Sequence, residues 1–185
     1  MYALTDEEGG RAVTIARHAL EYALEGSHFA PKDLPPVFQE KRGVFVTLKE
    51  KGELRGCIGI PYPVMALSEA LVDAAECSGM SDPRFTPIRK TDLSRLAIEV
   101  TILSPPQLLP GSPADRPQKI HVGTHGLIVK GMGCTGLLLP QVPTEYGWDS
   151  REFLDHTCIK AGLRSDCWKR NEVEIYYFEG QIFHE

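Results

Sequence analysis

The chain has 185 residues, with 20 Lys or Arg against 25 Asp or Glu, which gives a formal net charge of −5. Hydrophobic residues make up 42% and charged residues 24%, so a fully disordered, collagen-like or coiled-coil chain is excluded. The acidic balance repels phosphate backbones and makes nucleic-acid binding an unfavoured function. Apolar runs are far shorter than the ~20 residues that cross a bilayer, and the start of the chain lacks signal-peptide character. We therefore expect a cytoplasmic protein with no membrane partner.

The cysteines are odd in number and widely spaced: Cys57, Cys77, Cys134, Cys158 and Cys167. Their spacing excludes the CxxC pairs of zinc ribbons and redox sites and the cysteine cluster of radical enzymes. We expect reduced and mostly buried thiols.

The first predicted element is a helix that begins at Thr5, which has capping-box spacing with Glu8, and ends at Gly26. After a proline-containing stretch, residues 44–48 and 54–60 form two apolar runs separated by a charged turn. This pattern predicts a β-hairpin.

A second helix is predicted over residues 64–77, with Pro63 near its first turn. Residues 98–102 alternate between apolar and polar side chains and are predicted to form a strand. Residues 104–117 are rich in proline and are predicted to be mostly irregular.

The last third of the chain predicts a second hairpin, a helix and two strands. In chain order, these are the runs 126–129 and 137–139, the helix 150–161 that stops at Gly162, and the strands 172–178 and 181–184. The fold class is therefore mixed α/β, with a largely antiparallel sheet flanked by helices.

The segment Leu54-Arg55-Gly56-Cys57-Ile58-Gly59 (LRGCIG) is unusual for a strand, because glycines at 56 and 59 indicate a bulge or the close approach of another backbone. Arg55 and Cys57 point to the same face of an extended chain, and a cation beside a thiol favours the thiolate. Alternatively, Cys57 lies in the core and Arg55 pairs with a carboxylate.

Two further polar positions are candidates for the site. Asp82 and Arg84 flank Pro83 on a loop, where they either bind a ligand or simply cap a turn and form a surface ion pair. Glu99 lies in the strand 98–102, where it is a solvated carboxylate, a partner of Arg55 or a general base. A local basic group near this loop is a possible anion site: Arg84, Arg89, Lys90 and Arg95.

Metal and cofactor sites are not indicated. His121 and His125 are four residues apart, but Cys134 is the only nearby third ligand, so no metal site is expected. Gly131-Met132-Gly133 lacks the features of a phosphate loop and is expected to be a hairpin turn. We expect no cofactor.

Five segments in order resemble the AMMECR domain family, the family of the AMME syndrome candidate gene protein, in its prokaryotic stand-alone form. The similarity covers about residues 4–185. The segments are the hexapeptide 54–59, the Ser81-Asp82-Pro83-Arg84-Phe85-Thr86-Pro87 loop, the strand 98–105 with Glu99, the second hairpin with Tyr146-Gly147-Trp148-Asp149, and the C-terminal region from Cys158 to Trp168.

The resemblance implies one AMMECR-type domain over residues 1–185, with a larger lobe, a smaller lobe around residues 31–60 and 104–140, and a cleft beside the hexapeptide. It implies no established biochemical activity. It also implies an association with Memo-type or radical S-adenosylmethionine proteins, and fold alone assigns no chemistry.

Two hypotheses follow. In the first, the protein is a cytoplasmic enzyme in which Cys57 is the nucleophile, Arg55 supports it electrostatically and Glu99 is a base or an orienting group. In the second, the protein is an adaptor that docks a Memo-type or radical S-adenosylmethionine partner. The binding residues in either case are Gly56, Gly59, Asp82, Arg84 and Phe85.

Overall fold

The computed structural model describes residues 3–185 and divides them into two compact units. The first unit comprises the residues up to Pro105 together with Gln181–Glu185, and the second comprises Pro106–Gly180. The predicted smaller lobe is split between them, because residues 31–60 belong to the first unit and most of 104–140 to the second.

The helices and strands are, in chain order, α1 (Asp6–Leu24), β1 (Val44–Glu50), β2 (Glu53–Ile60), α2 (Leu67–Met80), β3 (Leu96–Leu103), β4 (Gln107–Leu108), β5 (Gly126–Gly131), β6 (Cys134–Leu138), α3 (Gln141–Tyr146), α4 (Ser150–Lys160), β7 (Glu174–Phe178) and β8 (Gly180–His184). The mixed α/β class is confirmed. No helix within residues 3–185 is long and apolar enough to span a membrane.

The first helix begins as the sequence predicts. The Thr5 hydroxyl accepts a hydrogen bond from the Glu8 amide at 3.2 Å, and the Glu8 carboxylate accepts one from the Thr5 amide at 2.9 Å. This reciprocal capping satisfies two backbone donors that have no partner inside the helix. Gly26, with a φ of 74°, follows the end of α1, where only glycine adopts this backbone conformation without strain.

The first sheet has the strand order β2-β1-β3-β8, and β1 pairs antiparallel with both β2 and β3. Alternate residues of β1 and β3 point towards α1 and α2 and are fully buried with helix residues such as Leu20 and Leu71. Burying such a leucine contributes about 1.5–3 kcal/mol, so this layer carries the stability of the unit. The other face of the sheet, which we call the polar face, carries Thr47, Cys57 and Glu99.

The second unit has its own sheet, with the order β4-β7-β5-β6, and a separate core. Leu127 and Val129 of β5 pack against Phe153 and Leu154 of α4, and all four side chains are fully buried. Two units with independent cores are therefore built from one chain.

The expectation that all cysteines are reduced is wrong for two of them. Cys158 and Cys167 form a disulfide with a Cα–Cα distance of 6.0 Å. The chain reverses at Gly162, where φ is 75°, and a 3₁₀ turn over Ser165–Lys169 brings Cys167 back to the end of α4. The other three cysteines are free and partly exposed, so the expected burial is also wrong for them.

The second helix differs from its prediction, because α2 begins at Leu67 rather than at residue 64. The segment before it is extended: Ala66 bridges to Lys41, and the Leu67 amide donates to the Glu40 carbonyl at 2.8 Å. These backbone bonds hold residues 64–66 outside the helix. The helix therefore does not begin beside Pro63, although proline is favoured in a first helical turn.

Candidate functional site

The polar face aligns two of the predicted site residues, Cys57 and Glu99, in one row with Thr47 between them. Thr47 of β1 lies opposite Cys57 of β2 on one side and opposite Glu99 of β3 on the other. Since neighbouring strands lie about 4.8 Å apart, the backbones at Cys57 and Glu99 are separated by roughly 10 Å. Cys57 and Glu99 therefore share a face but not a direct contact.

Cys57 is partly exposed on this face and does not belong to the hydrophobic core. Its sulfur accepts a hydrogen bond from the Thr47 hydroxyl, with an Oγ1–Sγ distance of 3.3 Å. The alternative that Cys57 is a core residue is therefore wrong.

The backbone of Cys57 is held at the open edge of the sheet by two side chains from the loop after α2. The Cys57 amide donates to Asp82 Oδ2 at 2.8 Å, and Arg84 Nη2 donates to the Cys57 carbonyl at 2.9 Å. We call this arrangement the Asp82–Arg84 clamp. It replaces the hydrogen bonds that a further strand would make at this residue, and it protects an edge that would otherwise pair with another chain.

Asp82 and Arg84 are also joined to each other by a bidentate ion pair. Arg84 Nε donates to Asp82 Oδ1 at 2.9 Å and Nη2 donates to Oδ2 at 2.7 Å. The Asp82 side chain is 1% exposed, whereas that of Arg84 is 54% exposed. A buried carboxylate therefore sits beneath a guanidinium that solvent and ligands can reach.

This pairing changes the acidity of both groups. The hydrogen bond from Arg84 lowers the pKa of Asp82 far below its ordinary value of 3.8, although burial alone would raise it. The pKa of Arg84 is raised, first by the hydrogen bond to Asp82 and to a smaller extent by the charge of the Cys57 thiol and a hydrogen bond to it. The clamp is therefore a permanent ion pair whose cation also binds the Cys57 carbonyl.

Arg55 has a different role from the one predicted. Its Nη1 donates to the Thr86 carbonyl at 2.7 Å, and its Nη2 lies 3.4 Å from the Thr86 hydroxyl. Neither a carboxylate nor the Cys57 thiol is the partner of this guanidinium. Arg55 ties β2 to the Asp82 loop, and the cation that binds the backbone of Cys57 is Arg84.

Glu99 is held by two groups that the sequence did not connect with it. Its Oε2 accepts a hydrogen bond from Lys49 Nζ at 2.7 Å and lies 3.4 Å from His184 Nδ1. The predicted pairing with Arg55 is not present. The polar face thus carries the Cys57 thiol with its Thr47 partner at one end and a carboxylate between Lys49 and His184 at the other.

The two glycines of the hexapeptide are explained by packing inside the first unit. A Cβ added to Gly56 would lie 2.2 Å from the Ser78 carbonyl oxygen of α2, and one added to Gly59 would lie 2.2 Å from the Phe45 ring. The close backbone approach predicted at Gly56 is that of the chain's own helix. Gly56 lies on the buried side of β2, away from the polar face.

Comparison with known proteins identifies the family of this chain. The model of the family described as AMMECR1 matches residues 13–183, which include every residue of the clamp and of the polar face except His184. The chain belongs to the AMMECR1 family.

Its relatives in the AMMECR1 family include archaeal proteins of the same length class. A protein of Methanothermobacter thermautotrophicus is 52% identical, covering 98% of this chain and 96% of the relative. One of Methanosarcina acetivorans is 51% identical, covering 98% and 94%. The crystal structure of the uncharacterized protein PH0010 from Pyrococcus horikoshii is 47% identical, covers 100% of this chain and 94% of that chain, and gives a TM-score of 0.82. The predicted family and fold class are confirmed, and the family assigns no activity.

Two of the basic side chains suggested for an anion site have acidic partners in this AMMECR1 domain. Arg95 binds the carboxylates of Glu50 and Asp92 at 2.6 and 2.7 Å, and Lys90 lies 3.3 Å from Glu25. These two cations are neutralised, which disfavours the anion site suggested for the cluster.

The histidine pair in the second unit has no third ligand. His121 and His125 stack at 4.8 Å, and His125 Nδ1 accepts a hydrogen bond from the His121 amide at 3.2 Å. Within residues 3–185, no group of three or more His, Cys, Asp or Glu side chains is arranged to hold a metal ion. Burial is the main cause that lowers the pKa of His125 below 6.5.

Proposed function

We propose that this AMMECR1-family protein is a cysteine-dependent enzyme in which Cys57 is the nucleophile. The observation that carries the proposal is the environment of Cys57: the Thr47 hydroxyl donates to its sulfur at 3.3 Å, and the exposed guanidinium of Arg84 donates to the carbonyl of the same residue at 2.9 Å. A guanidinium beside a thiol favours the thiolate, which is the reactive form. Thr47 and Arg84 together would stabilise the nucleophile before a substrate arrives.

The clamp would fix the direction of attack. The amide and the carbonyl of Cys57 are both bound by loop side chains. The backbone that carries the thiol is therefore fixed at both of its hydrogen-bonding groups. Precise positioning of a nucleophile contributes to rate by removing orientational freedom from the reaction. In this proposal Asp82 is a positioning residue, and Arg84 both positions Cys57 and supplies the charge.

The other end of the polar face would bind the rest of the substrate. Glu99, which binds Lys49 and lies near His184, is two strands away from Cys57, at roughly 10 Å by strand spacing. A general base at Glu99 would not reach the thiol over this span. We therefore propose that Glu99 contributes to substrate binding, and that the substrate is an extended molecule with an electrophilic centre.

We further propose a cytoplasmic location. Disulfides are rare in the cytoplasm of most organisms but persist in that of hyperthermophilic archaea. The relatives of this chain include proteins of Pyrococcus, so the Cys158–Cys167 bond is compatible with that location.

The reactivity of Cys57 can be measured against the other free cysteines of the same chain. We expect iodoacetamide at pH 7 to modify Cys57 faster than Cys77, because burial and the nearby Asp73 and Glu76 raise the pKa of the Cys77 thiol. An Arg84→Gln variant should slow the modification of Cys57 and leave that of Cys134 unchanged. Peptide mass spectrometry over a series of pH values measures all three rates. Nucleophilic catalysis loses its basis if Cys57 reacts no faster than a model thiol.

A docking function is the second candidate, and one observation favours it. The exposed Arg84 guanidinium lies 5.5 Å from the Phe85 ring centroid, and such arginine–aromatic pairs are enriched at interaction hot spots. The partner proposed is a Memo-type or radical S-adenosylmethionine protein. Capture of such a partner that is lost in Phe85→Ala but kept in Cys57→Ser, with slow alkylation of Cys57, would favour docking over catalysis.

A further inference from the structure

A turn formed by residues 121–125, just before β5 in the second unit, is closed by a side chain that titrates. The His121 carbonyl accepts hydrogen bonds from the Thr124 amide at 3.1 Å and from the His125 amide at 2.8 Å. The His125 ring folds back on this turn, and its Nδ1 accepts a hydrogen bond from the His121 amide at 3.2 Å. We call residues 121–125 the histidine turn. We propose that it is a pH-sensitive switch, which neutral His125 closes and protonated His125 releases. The proposal is independent of the chemistry at Cys57.

The hydrogen bond at Nδ1 fixes the protonation state of His125. A backbone amide N–H donates and does not accept, so Nδ1 is the unprotonated nitrogen of the ring and Nε2 carries the proton. A second proton would bind at Nδ1, where it would point at the amide hydrogen of His121. Two donors do not bond to each other, so a protonated ring has to leave this position. The closed histidine turn therefore requires a neutral imidazole.

The surroundings of the ring favour the neutral form. His125 is 8% exposed, and its ring centroid lies 4.8 Å from that of His121 and 4.7 Å from that of Tyr177. Burial is the main cause that lowers the pKa of His125, and the neighbouring His121 lowers it further. The stabilisation by the neutral ring is therefore fully present above the ordinary value of 6.5 and is lost as pH falls through the lowered pKa. The histidine turn is thus closed at neutral pH and released on acidification.

Glu179 supplies a charge that receives the protonated ring. Its Oε1 lies 3.8 Å from His125 Nε2, which is too long for a hydrogen bond but close enough for an ion pair, and its side chain is 42% exposed. The charge of Glu179 acts against burial, because it raises the pKa of His125. Tyr177 of β7, which also contacts the ring, donates its hydroxyl to Gln107 at 2.7 Å. Acidification therefore exchanges the hydrogen bond that closes the turn for an ion pair with Glu179.

The test is a pH titration of the full-length protein from neutral into acidic conditions, followed by the NMR signals of the His125 ring nitrogens and of the backbone amide of residue 121. His121→Gln keeps this amide but removes the ring of His121, so that the amide signal reports on His125 alone. We expect His125 to carry its proton on Nε2 at neutral pH, to titrate below 6.5 and to shift the amide with the same midpoint. The hydrogen-exchange protection of this amide, relative to that of Leu127 in β5, should fall about two- to tenfold through the transition.

Substitution of the two charged neighbours should move the midpoint in opposite directions. Glu179→Gln removes the attracting charge and should lower the midpoint by about 0.2–0.7 pH unit, whereas His121→Gln removes the repelling one and should raise it. The matched control is Glu174→Gln, which removes a carboxylate at the opposite end of β7 and should leave the midpoint unchanged.

Three results would overturn the proposal. The first is a His125 midpoint at or above 6.5, or one that Glu179→Gln leaves unchanged. The second is an amide of residue 121 that does not follow the titration of His125. The third is a loss of protection at Leu127 at the same pH, because the whole unit and not the turn would then open.

Discussion

Cys57 is positioned by residues that lie 25 and 27 positions later in the chain. The buried Asp82 carboxylate accepts hydrogen bonds from the Cys57 amide, the Arg84 amide and the Arg84 side chain. An ionised carboxylate with this many donors is held strongly, and its loss would leave both the thiol-bearing strand and the guanidinium without a fixed partner. The properties of Cys57 therefore depend on Asp82 as much as on the thiol.

We predict that Asp82→Asn lowers the free energy of unfolding by about 1–3 kcal/mol, because an amide accepts fewer of these hydrogen bonds and does not neutralise Arg84. Urea denaturation measures the change. The control is Asp166→Asn, which removes an ion pair with Arg164 in which both side chains are exposed, and which should cost less than about 0.5 kcal/mol. Equal effects in the two variants would contradict the special role of Asp82.

The same substitution should alter the dependence of stability on pH. The folded pKa of Asp82 is lowered, so its contribution is fully present above the ordinary value of 3.8 and is lost as pH falls below it. We therefore expect the stability difference between the wild type and Asp82→Asn to be constant near neutral pH and to narrow below 3.8. A difference that widened on acidification would have the wrong sign.

The sequence identified the residues of this site but did not predict which side chains contact each other. The alternation of side chains along a strand predicted that Arg55 and Cys57 share a face, and it left open which way Glu99 points. It did not predict the contacts of the two arginines, since only the tertiary fold brings Arg84 to the Cys57 carbonyl and Arg55 to Thr86. His184 had no recognisable spacing to Glu99, because the two meet through the pairing of β3 and β8.

At the scale of elements, a serine hydroxyl of α2 is inserted between two strands. The Ser78 hydroxyl accepts a hydrogen bond from the Ile58 amide at 2.8 Å and lies within hydrogen-bond distance of the Val46 and Ala74 carbonyls, at 2.8 and 2.6 Å. Val46 and Ile58 face each other across β1 and β2. The hydroxyl therefore joins the helix to both strands, at the place where Gly56 lets the helix backbone approach.

We predict that Ser78→Ala destabilises the protein by about 1–3 kcal/mol, because it removes the hydroxyl that binds the Ile58 amide and the buried Val46 carbonyl. Ser81→Ala is the control, since Ser81 is exposed at the end of the same helix and should change stability by less than about 0.5 kcal/mol. Thermal or urea denaturation of the two variants gives the comparison. A neutral Ser78→Ala would mean that the strands close up and pair directly.

The bounds of helices and strands were predicted well where cap and turn residues set them. They were predicted poorly where backbone hydrogen bonds to distant residues set them. The capping box of α1 and both hairpins are present, because their turn and cap residues act within a few positions. The start of α2 is displaced by a backbone bond to Glu40, which no local pattern contains. Helix α3 was not predicted, since Pro140 and Pro143 interrupt its apolar pattern.

At the scale of the whole molecule, the disulfide lies entirely within the second unit. Cys158 and Cys167 are nine positions apart and both are buried in the core of that unit. A short cross-link of this kind restricts the unfolded chain and stabilises the folded state by about 2–4 kcal/mol. The first unit contains two free cysteines, Cys57 and Cys77, and no cross-link among its described residues. The two units should therefore respond differently to reduction.

The chain provides a separate spectroscopic signal for each unit. Both tryptophans, Trp148 and Trp168, lie in the second unit, so tryptophan fluorescence reports on that unit alone. The longest helices, α1 and α2, lie in the first unit, so the helical circular dichroism signal reports mainly on it. One sample can thus be followed by two probes.

We predict that a reductant lowers the midpoint of the fluorescence-detected thermal transition by ~10 °C or more, because a cross-link worth a few kcal/mol is lost from a small unit. The midpoint detected by circular dichroism should move much less. A Cys158→Ala, Cys167→Ala double variant should show the lowered fluorescence midpoint without reductant and no further response to it. Equal shifts of both probes would mean that the two units unfold as one cooperative body, so that the disulfide stabilises the whole molecule rather than the second unit.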